Sequence, residues 1–586
     1  MIDKKGLRIT AAAVLAGAAI GAHTAHGATA SHVHVAAASG TVTITDYQFP
    51  DGCNPIATAS VVQQEVCGGT MEDSLFLLDD RLTYQPDLAL NVPSTRNGEV
   101  KIAGGKLLVT YRLKPNLKWS DGAPLTVDDF IFSVLVNIDA GNSAGLDQIQ
   151  SMRKVDATTV VVTYKGQYAP FVAYGNPQPL LPRHYLIKKY GTSDPKAVAA
   201  KFLLDTCNSP SDVFSGAFKI GSWTAGSEID LTPNPYYTAL PPALGHARLA
   251  SFRFKSYVGA TAGSSALAVK LLSPQTDADQ AEDFQYNDIA LLRKSSYQVT
   301  SLPALYVEHL ELNQGGVLKD VRLRQALQAA LDKATLFKTV FPDLAGQTND
   351  YLLHTVLPNL SPFDDKSEAF SAYNPQRARA LLKAAGYSYR DAGGHLIRGA
   401  KGQLYLNFAT TSTTIRQQVE GLIAQSWARV GITTNPHFTT SYGNGGLFSD
   451  YSLNGVLYHR SYDVALFAFQ ESPDPQQGEF NFLPQYIPTA SYHGGAEQNY
   501  NGIGEDPHDA AARQEADLLI KARDTVDAAQ RRTIFNQWQR VCNQQVYWIK
   551  LYARQNIAAH KNTFGPYRPN PSQATNEWNA YEWFKL

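Results

Sequence analysis

A short segment rich in carboxylates and prolines follows directly on an apolar run in the last quarter of the chain. The run DVALFAF covers residues 463–469 and predicts a buried strand, and FQESPDP covers residues 469–475. Loops at the carboxyl ends of strands in open α/β sheets usually contact ligands. We therefore take Phe469, Glu471 and Asp474 as candidate ligand-binding residues. The alternative is a solvent-facing glutamate in a proline-rich loop, and the residues alone leave both interpretations open.

Motifs of several common enzyme classes are missing from the sequence. It contains no H-E-x-x-H segment, no Walker A loop and no G-x-G-x-x-G segment. These are the patterns of zinc proteases, nucleotide-phosphate loops and dinucleotide sites respectively. The sequence therefore predicts a protein that is not an enzyme, with no cofactor and no metal site.

Charge and composition indicate a globular protein without a nucleic-acid partner. The chain has 586 residues, 44% of them hydrophobic, and its formal net charge is −1 with no block of like charges. Such a chain can bury large cores. Nucleic-acid binding usually needs a basic field that offsets phosphate repulsion, and this sequence shows none.

The amino-terminal residues have the pattern of a secretory signal peptide. A basic group of Lys4, Lys5 and Arg8 precedes an apolar stretch over residues 9–22, and residues 28–30 read Ala-Thr-Ala. This order matches the basic, apolar and small-residue regions of a leader, so residues 1–30 are predicted to be removed on export. An uncleaved anchor is the alternative. No cysteine closely follows the apolar stretch, so a lipid anchor is not predicted.

The cysteine content predicts disulfides. The chain has four cysteines, at positions 53, 67, 207 and 542, and no spacing among them resembles a zinc site. An even number of cysteines in an exported protein is typical of disulfide bonding. Four cysteines permit three pairings, which sequence cannot decide between. The shortest loop favours Cys53–Cys67, which would leave Cys207–Cys542, and buried free thiols are the alternative.

Helix and strand patterns alternate through much of the chain. Strands are predicted at residues 41–45, 104–113, 160–164 and 404–410 from apolar and β-branched runs. Helices are predicted at about residues 127–135, 320–331, 374–385, 415–430, 508–523 and 525–545, from apolar spacing and from capping residues such as Thr126, Asp320 and Asn374. This alternation predicts α/β layers. Within WSDG (residues 119–122), we expect Trp119 to pack in the interior beside a tight turn. The alternative is that Trp119 lines a ligand cleft.

A set of segments, in order, resembles one family. These segments are LLVTYRLKPNLKWSDGAPLTVDDFIFSV (107–134), FSGAFKIGSWTAGSEIDLTPNPYY (214–237), LELNQGGVLKDVRLRQALQAALDK (310–333), YNPQRARALLKAAGY (373–387) and YDVALFAFQESPDP (462–475). Together they resemble the family 5 extracellular solute-binding proteins, the peptide- and nickel-binding components of ABC importers. Two segments depart from the family pattern, residues 214–218 and residues 259–285, and these leave the ligand open.

The resemblance implies an α/β periplasmic-binding-protein fold of two lobes joined by two crossover strands. LYVEHLELN (305–313) and YWIKLYARQ (547–555) look like these crossovers. The implied domains are lobe I (41–80, 175–304 and 547–586), an extra domain in lobe I (81–174) and lobe II (305–546). Closure of the lobes over a ligand would be the functional event. The closed form would then dock on a membrane permease, and we expect a monomer.

The resemblance also implies a role for Glu471. In peptide binders of this family an Asp three residues before an Asp-Pro or Glu-Pro pair holds the ligand's α-ammonium, and counting back from Asp474-Pro475 places Glu471 there. Glu instead of Asp is a departure that shifts the carboxylate. The sequence thus predicts an exported component of an ABC importer that captures peptides. Its alternatives are a nickel, haem, sugar or opine ligand, or an exported enzyme or sensory receptor on the same fold.

Overall fold

The structure is a computed structural model of the full chain. It describes residues 8–9, 40–46, 48–57, 61–143, 145–239, 247–256, 276–279, 292–293, 297–490, 497–572 and 576–586. Most of the predicted leader, and the departing segment 259–285 apart from residues 276–279, lie outside the described residues. Among the described residues, no helix has both the length and the apolar character that are needed to cross a membrane.

Helices and strands alternate along the chain. The strands are β1 Arg8–Ile9, β2 Thr41–Asp46, β3 Phe76–Leu78, β4 Tyr84–Pro86, β5 Val100–Ala103, β6 Lys106–Arg112, β7 Ile149–Lys154, β8 Thr159–Tyr164, β9 Phe218–Thr224, β10 Glu228–Pro233, β11 Ser251–Ser256, β12 Ala278–Asp279, β13 Tyr297–Leu312, β14 Tyr389–Arg390, β15 Leu396–Ile397, β16 Leu404–Thr411, β17 Ile432–Thr439, β18 Val464–Gln470, β19 Trp548–Lys561, β20 Phe564–Gly565 and β21 Phe584–Lys585. The α-helices are α1 Val61–Gln63, α2 Val127–Asp139, α3 Arg183–Tyr190, α4 Pro195–Phe202, α5 Val321–Ala329, α6 Lys333–Val340, α7 Thr348–Tyr351, α8 Pro375–Ala384, α9 Thr414–Ala428, α10 Gly478–Phe482, α11 Ala510–Arg523 and α12 Ala528–Gln545.

Local capping chemistry accounts for the ends of the predicted helices. A capping box begins helix α2. The side chain of Thr126 accepts a hydrogen bond from a backbone N–H of the first turn, and the side chain of Asp129 accepts one from the backbone N–H of Thr126. At α8, Asn374 caps the helix and Pro375 occupies its first position. Gly386 follows this helix with a φ of +87°, a conformation that favours glycine. The predicted starts of α2 and α8 and the predicted end of α8 are confirmed, whereas α2 continues to Asp139, beyond its predicted end near residue 135.

The WSDG segment forms the expected turn. The N–H of Gly122 donates to the carbonyl oxygen of Trp119 over 2.9 Å. Gly122 has a φ of +86°, which a residue with a Cβ rarely adopts. The Trp119 side chain is fully buried. Trp119 is therefore an interior residue, as predicted.

The chain divides into two compact units. Unit 1 comprises Met1–Ser301 and Ile557–Leu586, and unit 2 comprises Leu302–Asn556. Both β13 and β19 run from one unit into the other, and they contain the two predicted crossover segments. The division does not separate residues 81–174 from the rest of unit 1, so the extra domain stays a prediction.

Unit 1 contains two larger sheets. In one, the strand order is β12, β2, β11, β10 and β9. Here β2 is parallel to β11 and β12, whereas β10 is antiparallel to β9 and β11. The second sheet has the order β1, β7, β8, β6 and β5, and apart from β1 it lies inside the predicted extra domain. The backbone of Arg8–Ile9 pairs with β7 in parallel.

Unit 2 is built on a sheet with apolar residues on both faces. Its strand order is β17, β16, β18 and β13, with β16 parallel to both neighbours and β13 antiparallel to β18. Val464 and Leu466 of β18 join one core cluster with residues of α5, α8 and α9. Phe467 and Phe469 join another with residues of α11 and α12. Burial of both faces explains the continuous apolar run of this strand.

Only one of the two predicted disulfides is present. Cys53 and Cys67 are joined, with Cα atoms 5.6 Å apart. Cys207 and Cys542 are both buried free thiols, so the prediction of a second disulfide is wrong. The physical reason is that each is enclosed in its own unit. Cys542 packs on the apolar face of α12 in unit 2, whereas Cys207 belongs to unit 1.

Thiol counting tests this arrangement. The unfolded, unreduced protein should show two titratable thiols, from Cys207 and Cys542, whereas the native protein should react slowly because both are buried. Reducing the Cys53–Cys67 bond should lower the free energy of unfolding by about 3 kcal/mol, because the constraint on the unfolded chain is lost. Four thiols in the unreduced protein, or none, would contradict the structure.

Candidate functional site

Glu471 directly follows strand β18 and continues its pairing with β13. Residues Tyr306 and Gln470 are the last pair in register between these strands. Beyond them, the N–H of Glu471 donates to the carbonyl oxygen of Leu305 over 2.8 Å. The backbone at Glu471 is therefore held by the sheet, although the residue stands at the start of a loop.

Glu471 is buried, and the residues that the structure describes offer its carboxyl group no partner. The residue is 6% exposed. No hydrogen bond or ion pair reaches its carboxyl from the residues that the structure describes. Burial raises the pKa of Glu471 to about 8, because the charged form loses its hydration. At neutral pH the free protein therefore holds this group mainly as the neutral acid, and a nearby cation would favour its ionisation.

Phe469 lies on the same face of β18, two residues before Glu471, and belongs to an aromatic cluster. Its ring stacks on the ring of His309 with centroids 5.1 Å apart, and on Trp548 at 5.4 Å. The Tyr500 ring is also parallel to it, at 6.2 Å. Phe469 is 8% exposed. Its observed contacts are thus those of a core residue beneath the site.

His309 is held in place inside the same cluster. One ring nitrogen, Nε2, lies 2.9 Å from Oε2 of Glu311, and Nδ1 lies 3.1 Å from the carbonyl oxygen of Val307. Both His309 and Glu311 are fully buried. Burial raises the pKa of Glu311, while its contact with His309 acts in the opposite direction. These contacts fix the imidazole ring on which Phe469 stacks.

Asp474 has partners within unit 2. Its Oδ1 accepts the N–H of Gln476 at the start of the 3₁₀ turn Pro475–Gln477. Both carboxylate oxygens also contact Arg531 of α12, at 2.7 Å each. Arg531 is 5% exposed and its guanidinium lies over the ring of Phe535. Asp474 therefore anchors the loop to α12.

The structure places the three predicted site residues differently. The carboxyl of Glu471 has no partner within the described ranges, Phe469 lies in the core below it, and the carboxylate of Asp474 is bound to Arg531. Ligand contact by any of the three stays a prediction.

A charged cluster on β13 was not singled out by the sequence analysis. Oε1 of Glu308 lies 3.2 Å from a guanidinium nitrogen of Arg416 and 2.8 Å from one of Arg554. Burial alone would raise the pKa of Glu308, but the two guanidinium groups outweigh it and lower the pKa to about 2. Two guanidinium groups therefore contact the same carboxylate oxygen. A glutamate inside the apolar run LYVEHLELN is the signal that could have identified it.

One serine segment matches a hydrolase pattern but lacks the required context. Residues 141–145 read GNSAG. A nucleophile elbow of this type joins a strand to a helix. Here the segment follows helix α2 and precedes the 3₁₀ turn Leu146–Gln148.

In the part of the chain that the structure describes, no group of three or more His, Cys, Asp or Glu residues is placed to hold a metal.

Comparisons with known proteins agree on the fold. The chain is 23% identical over 564 residues to di/tripeptide-binding protein 2 of Pseudomonas aeruginosa, covering 91% of this chain and 93% of that protein. The structure of the oligopeptide-binding protein AppA from Bacillus subtilis, in complex with a nonapeptide, matches with a TM-score of 0.68 and 18% identity, covering 94% of this chain and 99% of that one. NikZ from Campylobacter jejuni, in complex with Ni(L-His), matches with a TM-score of 0.70 and 17% identity, covering 93% and 99% respectively.

These structural likenesses confirm the predicted two-lobed α/β fold. The sequence profile described as bacterial extracellular solute-binding proteins, family 5 Middle, matches residues 83–488. That match spans most of the chain. The protein therefore belongs to family 5 of the bacterial extracellular solute-binding proteins.

Proposed function

We propose that this protein captures peptides with a free amino terminus outside the cytoplasmic membrane and delivers them to an ABC permease. Membership of the family supports solute binding. The relative from P. aeruginosa and the neighbour AppA support peptides as the ligand class. The observation that carries the proposal is the burial of Glu471 at the end of β18, where no described residue pairs with its carboxyl group.

A buried carboxyl without a partner costs stability, and a cationic ligand would offset that cost. The free protein avoids a buried charge by holding Glu471 protonated, because its pKa lies near 8. A ligand ammonium placed against this carboxyl would displace the proton and form a charge-assisted hydrogen bond. Glu471 is therefore proposed to receive the α-ammonium group of the peptide.

Calorimetry with matched peptides tests the proposal. A tripeptide with a free amino terminus should bind, and its N-acetylated form should bind at least tenfold more weakly because it lacks the ammonium group. Native mass spectrometry of the purified protein would show which ligand is carried from the cell. Equal affinity for both peptides would exclude Glu471 as an amine receptor. A co-purified nickel complex or sugar would instead favour another ligand class.

The affinity for such a peptide should depend on pH. Glu471 must be ionised in the complex, so below its pKa of about 8 the apparent affinity falls as the protein is protonated. A peptide α-amino group, with a pKa of about 7.7–8.0, stays mostly charged up to pH 7. We therefore expect the affinity to rise about tenfold between pH 6 and pH 7. Titration calorimetry at these two pH values measures it, and a flat profile would contradict the ammonium–carboxylate pair.

The location of the protein and its oligomeric state are also proposed, from its family and its predicted leader. Export by the predicted leader, residues 1–30, would place the protein where the family acts, and we expect a monomer that meets its permease there. Amino-terminal sequencing of the exported protein should begin just after Ala30, and light scattering should give the mass of one chain. Retention of the leader would favour a membrane anchor instead.

A further inference from the structure

A two-stranded ribbon at the surface of unit 2 carries two exposed apolar side chains. Its strands β14 and β15 pair in antiparallel fashion, with Arg390 opposite Leu396 and Tyr389 opposite Ile397. Leu396 is 44% exposed and Ile397 is 39% exposed. Arg398 directly follows β15 and is also exposed. The two apolar residues of the ribbon therefore have an arginine on either side.

The ribbon belongs to a strongly basic part of the chain. With histidine neutral, residues 379–401 have a formal net charge of +4, whereas the whole chain has a charge of −1. The one acidic residue of this segment is Asp391, whose Oδ2 lies 3.3 Å from Nδ1 of His395. None of the five basic side chains forms an ion pair within the described ranges. These basic residues are Arg379, Lys383, Arg390, Arg398 and Lys401.

Contacts with two helices hold the ribbon in place. The N–H of Arg390 donates to the carbonyl oxygen of Val430, just after α9, over 2.9 Å. Nε of Arg379, on α8, donates to the carbonyl oxygen of Arg390 over 2.6 Å. Nη1 of Arg390 donates to the carbonyl oxygen of Gly394, in the turn of the ribbon, over 2.9 Å. The basic groups and the two apolar side chains thus lie on a fixed surface of unit 2.

The combination of charge and apolar character favours a lipid surface as the partner. A soluble polyanion would use the basic groups but not the exposed leucine and isoleucine. Anionic phospholipids attract lysine and arginine to the membrane surface, and apolar side chains are stabilised where they enter the boundary between headgroups and acyl chains. We propose that the basic ribbon surface, residues 379–401, docks reversibly on a membrane that contains anionic phospholipids.

Co-sedimentation of the exported protein with vesicles tests the proposal. Vesicles with about 30 mol% phosphatidylglycerol in phosphatidylcholine, at about 0.1 M salt, should bind the protein about 100-fold more strongly than pure phosphatidylcholine. Lys383→Gln combined with Arg398→Gln should weaken this binding about 25-fold, since each charge near an anionic surface contributes about fivefold. Neither side chain makes a hydrogen bond to a described residue, so the ribbon should stay folded. Leu396→Ser leaves every charge in place and should weaken binding about threefold or more.

Matched variants elsewhere in unit 2 provide the controls. Leu453, in the 3₁₀ turn Tyr451–Leu453, is also 44% exposed, and Leu453→Ser should change vesicle binding less than about twofold. Lys521→Gln combined with Arg532→Gln also removes two exposed positive charges. These residues lie on α11 and α12, which pack in a different core cluster from α8. Because salt screens exposed charges beyond about 10 Å, this variant should bind within about twofold of wild type.

Several outcomes would overturn the membrane surface. Absence of binding to the anionic vesicles, or equal binding to both kinds of vesicle, is one. Binding that the substitutions in the ribbon weaken no more than their controls is another. Self-association of the protein alone, lost in Leu396→Ser, would assign the ribbon to a second copy of the chain. Since no peptide enters these measurements, their outcome is independent of the proposal for Glu471.

Discussion

Glu471→Gln should weaken the binding of a peptide with a free amino terminus by about 30- to 150-fold. This factor corresponds to the roughly 2–3 kcal/mol that a hydrogen bond to a charged group contributes. The glutamine keeps the shape of the side chain but cannot carry the negative charge that the ligand ammonium needs. Titration calorimetry at pH 7 measures the change.

The same substitution should change the pH dependence of stability in the free protein. The pKa of Glu471 is about 8 in the folded protein and near 4.5 without burial, so folding favours the protonated acid. The wild-type protein therefore loses stability from this group as the pH rises from about 4.5 to 8, and the variant does not. Between pH 5 and pH 8 the free energy of unfolding of the variant should gain about 3 kcal/mol relative to wild type.

Glu420→Gln is a matched control for the measurement of peptide affinity. Glu420 is also buried, at 5% exposure, but its Oε1 accepts a hydrogen bond from Thr434. Its replacement should leave the peptide affinity unchanged. If Glu471→Gln binds the peptide within twofold of wild type, Glu471 is not the ammonium receptor.

Asp474→Ala should lower the free energy of unfolding by about 3–5 kcal/mol. Removing one partner of a buried ion pair leaves the other charge buried without compensation. Arg531 would remain enclosed, and the hydrogen-bond acceptors left to its guanidinium among the described contacts would be Gln476 and the carbonyl oxygen of Ala522. Urea unfolding followed by circular dichroism measures the loss.

A second arginine–carboxylate pair provides the control for burial. Arg460 contacts Glu505 at 2.8 Å and 2.6 Å, but the Glu505 side chain is 49% exposed. Glu505→Ala should therefore cost no more than about 1 kcal/mol. If Asp474→Ala removed peptide binding while stability stayed within about 1 kcal/mol of wild type, Asp474 would be a ligand contact and the structural role would be wrong.

The sequence by itself determined the elements whose signals are local. Helix α8 could be predicted because Asn374, Pro375 and Gly386 mark its two ends within a few residues. Strand β18 could be predicted because a strand buried on both faces needs a continuous apolar run. The five segments that resemble the family, taken in their order along the chain, were enough to indicate it. Each segment is a pattern of consecutive residues, so it can be recognised without the fold.

Only the tertiary structure decided what the candidate side chains contact. Asp474 and Arg531 are 57 residues apart, and no local pattern indicates that they meet. The burial of Glu471, with no described residue paired to its carboxyl group, depends on every element packed around the loop. The tertiary structure also decided that Cys207 and Cys542 are free thiols, because two cysteines can pair only where the fold brings them close together. Local propensity shapes helices and strands, whereas partners and burial arise from contacts between residues far apart in the chain.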